Sequence, residues 1–375
     1  MAEKAIRLGG EATADAIVSA VDTMYSEHTF SEKDFVLKHN DAEIAMDSNF
    51  AAQSFWKDVR VRFFRKKSAV LGLILVVFIV LLAAFGPGMN EYTYSGQELS
   101  QKNFAPRVQV LENFGIFNGD EKMSTTTGSK TVNAYVEKGK DDVYYWFGSD
   151  TYGRDIWTRT WEGARVSLII AVAAAVIDMV IGMSYGLISG YFGGKVDMVL
   201  MRVTEIFTAI PFLPFAMILS AIIGTRITPE QRMYLIMVVL GVLSWPGICH
   251  LIRAQIFSQR EQEYVTAAKA LGVREKSIIF HHIIPNVMSL ILVNATLSFA
   301  TCMLTESSLS YMGFGIAPPT PTWGNMLTGA NNSIVIQQYW WRWVFPAAIF
   351  GICTICINLV GDALRDAVDP KSAER

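Results

Sequence analysis

The chain has 375 residues, of which 51% are hydrophobic and 18% charged, with a formal net charge of -2 and a mean hydropathy of +0.31. That balance excludes an ordinary soluble globular protein and puts a membrane protein first. The four cysteines, Cys249, Cys302, Cys353 and Cys356, all lie in apolar stretches, which excludes a disulfide framework or a cysteine-ligated zinc site.

Residues 1–55 are polar and acid-rich, with stretches such as ADAIVSAVDTMY that suit one or two weak amphipathic helices. The first apolar run follows this charged segment, which argues against a cleavable signal peptide. Residues 56–67, WKDVRVRFFRKK, carry six basic side chains. Because this collar abuts a hydrophobic run, it reads as a membrane-orienting signal and not as a nucleic-acid footprint. Residues 68–85 are eighteen residues without a charge, enough to cross about 30 Å of hydrocarbon. The positive-inside bias then places the N-terminus in the cytoplasm.

Residues 86–161 are polar and rich in Gly, Asn, Thr and aromatic residues, with strand-like pieces such as KTVNAYV. By parity this loop is extracytoplasmic, either a site for a binding protein or a solvated loop. It closes on FGSDTYGRDIWTRTWEGARVSL, where Asp150, Arg154 and Asp155 predict an ion-paired turn, and Trp157 and Trp161 predict aromatic anchors at the interface.

The second span is expected over 164–191, with Gly182, Gly186 and Gly190 at four-residue intervals for close helix approach. Asp178 lies within it, and a carboxylate at that depth must face protein or water. It either lines a pathway or hydrogen-bonds a neighbouring helix. A charged turn over 195–202 leads to a third span over 206–223, kinked by Pro211 and Pro214. The fourth span, 233–252, contains Pro246 and delivers the chain to a polar, helix-prone insert.

That insert, EQEYVTAAKALGVREKSIIFHHIIPN over 261–286, sets Tyr264, Ala267, Ala268 and Leu271 on one helical face. Gly272 supplies a stop past the helix end, a second short segment runs over 273–284, and Pro285 leads into the next apolar run. The result is a short, rigid knob outside the membrane, either a docking element or a surface helix with no partner. The basic residues in it and just before it, Arg253, Arg260, Lys269, Arg274 and Lys276, agree with a cytoplasmic side. The adjacent His281 and His282 point about 100° apart on a helix and have no evident third ligand, so no metal is expected.

The fifth span starts at Asn286 and passes Glu306 in TESSLSYMGFGIAPPTPTWGNML. Glu306 is read either as a pathway residue or as a buried acceptor holding the Pro318, Pro319, Pro321 turn. The last span, 343–360, ends in GDALRDAVDPK. No phosphate-cradling G-x-x-x-x-G-K-[ST] loop and no recognisable nucleophile elbow or zinc-protease helix occurs. Energy for uphill movement has to arrive from another polypeptide.

Several of these segments resemble one family. The insert is similar to the cytoplasmic "EAA" loop of permease subunits in binding-protein-dependent ABC importers, on Ala267, Ala268, Gly272 and Pro285. Thr266 stands where the family's name-giving glutamate would be, and Glu263 lies one turn earlier. The segments SFWKDVRVRFFRKKSAVLGLILVVFIVLLAAFGP, SDTYGRD, the Glu306 run and GDALRDAVDPK resemble the C-subunit type of oligopeptide and dipeptide permeases, with Ser149 in place of a usual threonine.

The resemblance implies an all-α integral membrane protein with the type I ABC importer permease fold, six transmembrane helices arranged as one leading helix plus a five-helix core. The expected organisation is a cytoplasmic segment over 1–67, a first helix over 68–85, an extracytoplasmic loop over 86–161, a core over 162–363 with its coupling loop at 253–285, and a cytoplasmic tail over 364–375. The implied function is uptake of oligopeptides, with dipeptides or nickel chelates as alternatives within the class. The implied partners are a homologous permease, two cytoplasmic ABC ATPases that bind ATP and Mg, an extracytoplasmic peptide-binding protein and the bilayer, with no nucleic acid. No cofactor and no enzymatic activity are expected in this chain. Glu263, Tyr264, Ala267, Ala268, Leu271, Gly272 and Pro285 are the expected ATPase-coupling residues. A membrane sensor would instead lack an ATPase partner. A solitary ion-driven carrier would lean on Asp178 and Glu306 alone, without the internal repeats such carriers show.

Overall fold

The computed structural model describes residues 55–125, 128–224 and 226–368; the expected N-terminal segment up to residue 54 and the end of the expected tail lie outside them. Helix α1 (Phe55–Arg65) carries most of the basic collar and is braced by an Arg62–Asp58 ion pair of 2.5 Å. After a break at Lys66, α2 (Lys67–Phe85) is apolar on every side. Ala69, Gly72, Ile79 and Ala83 are buried, whereas Leu71, Ile74, Phe78 and Leu81 are exposed. A helix that shows so little polar surface is at home only in hydrocarbon, where its backbone bonds are satisfied internally. Gly72 lets α2 close on the last helix: a Cβ there would stand 3.1 Å from the Cys356 carbonyl oxygen.

The segment between α2 and the next long helix folds over one end of the bundle. Strands β1 (Asp120–Thr125) and β2 (Gly128–Asn133) pair antiparallel, with Asp120 opposite Asn133. The strand expected through KTVNAYV stops at Asn133 because that side chain accepts from the Tyr135 and Val136 amides and starts a helical turn, Ala134–Glu137. Phe104, Tyr135 and Tyr145 form a small aromatic core, with the Tyr135 hydroxyl donating to the Ala105 carbonyl at 2.7 Å.

Helix α3 (Ile156–Phe192) begins eight residues before the expected start of the second span, so the loop ends at Asp155 and not at 161. The reason is local: Asp155 is its N-cap, accepting from the Thr158 amide at 2.8 Å. Trp161, expected at the lipid interface, is buried against Gly86, where a Cβ would lie 2.8 Å from the indole. At its other end α3 stops at Gly193 and Gly194, with φ of 64° and 53°, a reversal that a residue with a side chain resists. The charged turn expected over 195–202 is helical: it forms the first half of α4 (Gly194–Ala209). The kink falls at Ile210–Pro211, and α5 (Phe212–Gly224) departs from α4 at 72°.

Helix α6 (Pro229–Arg260) opens on a reciprocal Thr228–Gln231 capping box with Pro229 at its first position. The glycine stripe serves the α3–α6 contact. Cβ atoms at Gly182, Gly186 and Gly190 would meet the carbonyl oxygens of Trp245, Cys249 and Arg253 at 3.0, 2.7 and 2.8 Å. The knob helix α7 (Glu263–Ala270) follows. A continuous helical stretch, Glu275–Tyr311, contains a π-helical segment, Ile278–Ile283, and then α8 (Ile284–Tyr311). The wide turn ends where Pro285, lacking an N–H, cannot serve the His281 carbonyl. Helix α9 (Trp341–Val368) closes the bundle, remaining helical past the expected start of the tail at residue 364.

Among the described residues five helices are long and apolar enough to cross a membrane, and there are six spans when the bent α4–α5 pair is counted as one. The leading helix α2 lies against a core of five spans, packed through small residues such as Ala83, Ala164, Ala171 and Ala174 with Leu240, Met303 and Ile357.

Candidate functional site: a rooted knob and two buried carboxylates

The knob is anchored on one side and bare on the other. Val265 is fully buried and Ala268 nearly so, in one apolar cluster with Tyr191, Ile252, Ile256, Ile278 and Ile283. Tyr264, Ala267 and Leu271 point outward, and Leu271 at the tip is 84% exposed. The face expected to run through Tyr264, Ala267, Ala268 and Leu271 therefore splits: only Ala268 is rooted, partnered by Val265, and the other three form an outer apolar stripe. Helical periodicity shows that a stripe exists but not which of two stripes meets the bundle.

The helix ends in a paired turn. The Gly272 amide donates to the Lys269 carbonyl at 3.0 Å and the Val273 amide to the Ala268 carbonyl at 3.1 Å, the two bonds of a Schellman ending. Gly272 has φ 76°, and a Cβ there would meet nothing within 4 Å, so conformation and not space calls for glycine. Glu263 is exposed in the first turn of α7, where its charge suits the helix dipole. The Tyr264 hydroxyl donates to Gln259 Oε1 at 2.7 Å, and Lys269 Nζ lies 5.3 Å over the Tyr191 ring. Pro285 is exposed at the start of α8.

Glu306 is fully buried on α8. Ser310 Oγ donates to its Oε1 at 2.7 Å, and Ser167 Oγ of α3 donates to its Oε2 at 2.9 Å. Ser167 Oγ in turn accepts from the Trp323 amide at 3.4 Å. The carboxylate thus joins α8, α3 and the Trp323–Met326 turn. The relay ends next to Thr322, directly after the proline-rich segment. The direct bonds to that segment come from Arg159, which donates to the Pro319 carbonyl at 3.0 Å, and from Asn325 Nδ2 to the Thr320 carbonyl at 2.9 Å. Arg159 is not among the expected site residues: it lies in a helix start that also carries Glu162 and Arg165, so no local pattern singles it out. Asp178 is also buried, with Oδ2 accepting from Ser298 Oγ of α8 and Oδ1 without a hydrogen-bond partner. The two acids do not share a site.

At the hairpin end, Asp150 pairs with Arg154 at 2.6 Å and approaches Arg159 at 3.9 Å. Asp155, expected in that ion-paired turn, instead caps α3 and accepts from Asn90 Nδ2 at 2.8 Å. Burial pushes the Asp155 carboxyl up, opposed by its Thr158 and Asn90 hydrogen bonds.

Fold and site together define a mostly helical, multi-span membrane component with a rooted knob at one end and a folded cap at the other. Residues 182–374 match the family described as binding-protein-dependent transport system inner membrane component, and residues 54–106 match the N-terminal TM domain of oligopeptide transport permease C. The chain belongs to this permease family. It is 36% identical to the oligopeptide transport system permease protein OppC of Bacillus subtilis over 85% of this chain and 90% of that one. It is 33% identical to OppC of Haemophilus influenzae over 93% and 99%. It is 32% identical to the dipeptide transport system permease protein DppC of Bacillus subtilis over 90% and 92%. Among solved structures, an inward-facing form of the MetNI methionine ABC transporter is similar at 19% identity and a TM-score of 0.43, covering 56% of this chain and 94% of that one.

Proposed function

We propose that this chain is the C-type permease subunit of an ATP-driven importer that takes up oligopeptides handed over by an extracytoplasmic binding protein. The observation that carries the reading is the knob: a helix rooted by Val265 and Ala268, with Tyr264, Ala267 and Leu271 facing out. An exposed apolar stripe on an immobilised helix suits insertion into a groove of a partner protein. Two ATPase subunits would supply that groove and hydrolyse the ATP, and a homologous permease would complete the pathway.

In this reading the start and the end of the described bundle both lie on the cytoplasmic side. Lys66 at the start of α2 is ion-paired with Asp366 near the end of α9, which puts the basic collar and the C-terminal end of α9 at the knob end of the bundle. Arg253, Arg260, Lys269, Arg274 and Lys276 lie at that same end, as the positive-inside bias requires. The aromatic-cored cap at the opposite end is then the surface available to the binding protein. In this reading ATP binding moves the knob as a rigid body and the spans alternate between inward- and outward-open. Dipeptides are the second reading of the cargo, favoured by the identity to the dipeptide permease.

The test is to express the full chain with its neighbouring transport subunits, purify it in mild detergent through a C-terminal tag and weigh what accompanies it. The expected companions are one homologous permease and two ATPases, with the ATPases lost on Leu271→Asp. A chain that purifies alone under these conditions would overturn the proposal.

A further inference from the structure

Much of the bent span α4–α5 faces away from this chain. In α4 only Thr204 is buried, and in α5 only Ala216 and Ser220. Val196, Met198, Val199, Ile206, Ile218 and Ile222 are all exposed. The span meets the core at few points: Ala216 joins the main apolar cluster, the Phe207 ring lies 5.3 Å from that of Trp245, and Ser220 is hydrogen-bonded to the Phe314 carbonyl and to Arg232. At the knob end the tie is an ion pair. Asp197, in the first turn of α4, accepts from Arg253 of α6 through both carboxylate oxygens, at 2.5 Å from Nε and 2.6 Å from Nη2. Ser189, in the last turn of α3, also donates to Asp197 Oδ1.

The same few residues touch the root of the knob. Arg253 lies 4.7 Å over the Phe257 ring, and Arg260, two turns further along α6, lies 5.3 Å over the same ring and donates to the Tyr191 carbonyl at 3.0 Å. Tyr191 packs in the cluster that holds Val265 and Ala268, with Lys269 above its ring. Between Tyr191 and Asp197 the chain turns at Gly193 and Gly194, both in the left-handed region. A glycine pair is soft, so without a clamp α4 would swing independently of α3. A bidentate arginine–carboxylate pair is planar and directional, and it removes that freedom.

We propose that Asp197 and Arg253 are positioning residues for transport: their ion pair passes the displacement of the knob, through the ends of α3 and α6, to the bent span α4–α5. The inference rests on the importer reading above. A knob seated in its ATPase groove moves the ends of α3 and α6 with it, because Val265 and Ala268 share their apolar cluster. The clamp then carries α4 along, and α5 follows through the bend at Ile210–Pro211.

The experiment uses the whole complex in lipid vesicles with its binding protein and measures peptide taken up per ATP hydrolysed. Asp197→Asn, Arg253→Gln and the double variant are compared. Each single variant is expected to assemble, to keep ATP hydrolysis stimulated by loaded binding protein, and to lower uptake per ATP by roughly threefold to thirtyfold. The double variant is expected to be no worse than the more impaired single one, because the two residues act as a unit. An unchanged ratio in both singles, or losses that multiply in the double variant, would overturn the inference. Failure of the near-isosteric Asp197→Asn to assemble would overturn it too, by assigning the pair to folding. Absence of ATP-driven uptake in the unaltered complex is a different result: it would remove the importer reading itself, and this inference with it.

Discussion

Ser167 and Glu306, 139 positions apart in the chain, meet inside the bundle at 2.9 Å, and the serine hydroxyl that donates to the carboxylate also receives the Trp323 amide. One buried acid thus orders three elements that no local signal brings together. Such an acceptor is costly to remove, because its donors are left unsatisfied where no water replaces it.

Glu306→Ala should therefore lower the stability of the detergent-solubilised protein by about 2 kcal/mol or more. Glu306→Gln, which keeps the shape and one carbonyl acceptor, should cost less than half of that. Thermal unfolding followed by tryptophan fluorescence checks the order. Equal stability of the alanine variant and the unaltered chain would contradict this role for the carboxylate.

Gly272 offers a cleaner separation of knob from bundle. With φ at 76° and open space around its missing Cβ, Gly272→Val meets no clash but forces a β-branched residue into the left-handed region, at a cost of about 1–3 kcal/mol. The knob should lose its paired ending while the spans stay folded. Expected are reduced ATPase co-purification and uptake, with a melting temperature close to that of the unaltered chain. Gly272→Asn, which tolerates this conformation, should retain most of both. Full uptake by the valine variant would sink the idea that a rigid knob is required.

The cap carries a pH-dependent element. Glu121 is buried, and burial pushes its carboxyl from 4.5 up to about 7, with one carboxylate oxygen lacking a hydrogen-bond partner. Below pH 4.5 the acid is protonated whether the cap is folded or not, and it takes nothing from stability. As pH rises from there through 7, the unfolded form loses its proton first, and the folded form must then bury a charge. Local protection of the β1–β2 hairpin against hydrogen exchange, corrected for intrinsic rate, should fall between pH 5 and about pH 8. Glu121→Gln should flatten that dependence; an unchanged profile in the glutamine variant would refute the assignment.

Much of the fold is legible along the chain. The uncharged run after the basic collar, the proline at 211, the glycine stripe and the stop at Gly272 are local patterns, and each corresponds to a local feature of the structure. Other expectations fail where a neighbour distant in sequence decides. Trp161 looks like an interfacial anchor until Gly86 opens a place for it in the core, and Asp155 looks like an ion-pair partner until Asn90, 65 positions earlier, joins the nearby Thr158 amide in claiming it.

The sequence by itself determined the class: apolar runs of span length cannot be accommodated in water, and the order of charge and hydrophobicity sets how many spans there are and where the polar insert falls. Only the tertiary structure decided which stripe of the knob is rooted and which is bare. It alone joined Ser167 to Glu306 and Arg253 to Asp197. The physical reason is that hydrophobic burial is non-directional and can be read from composition, whereas a hydrogen bond or ion pair between distant residues exists only once the backbone has brought both partners within about 3 Å.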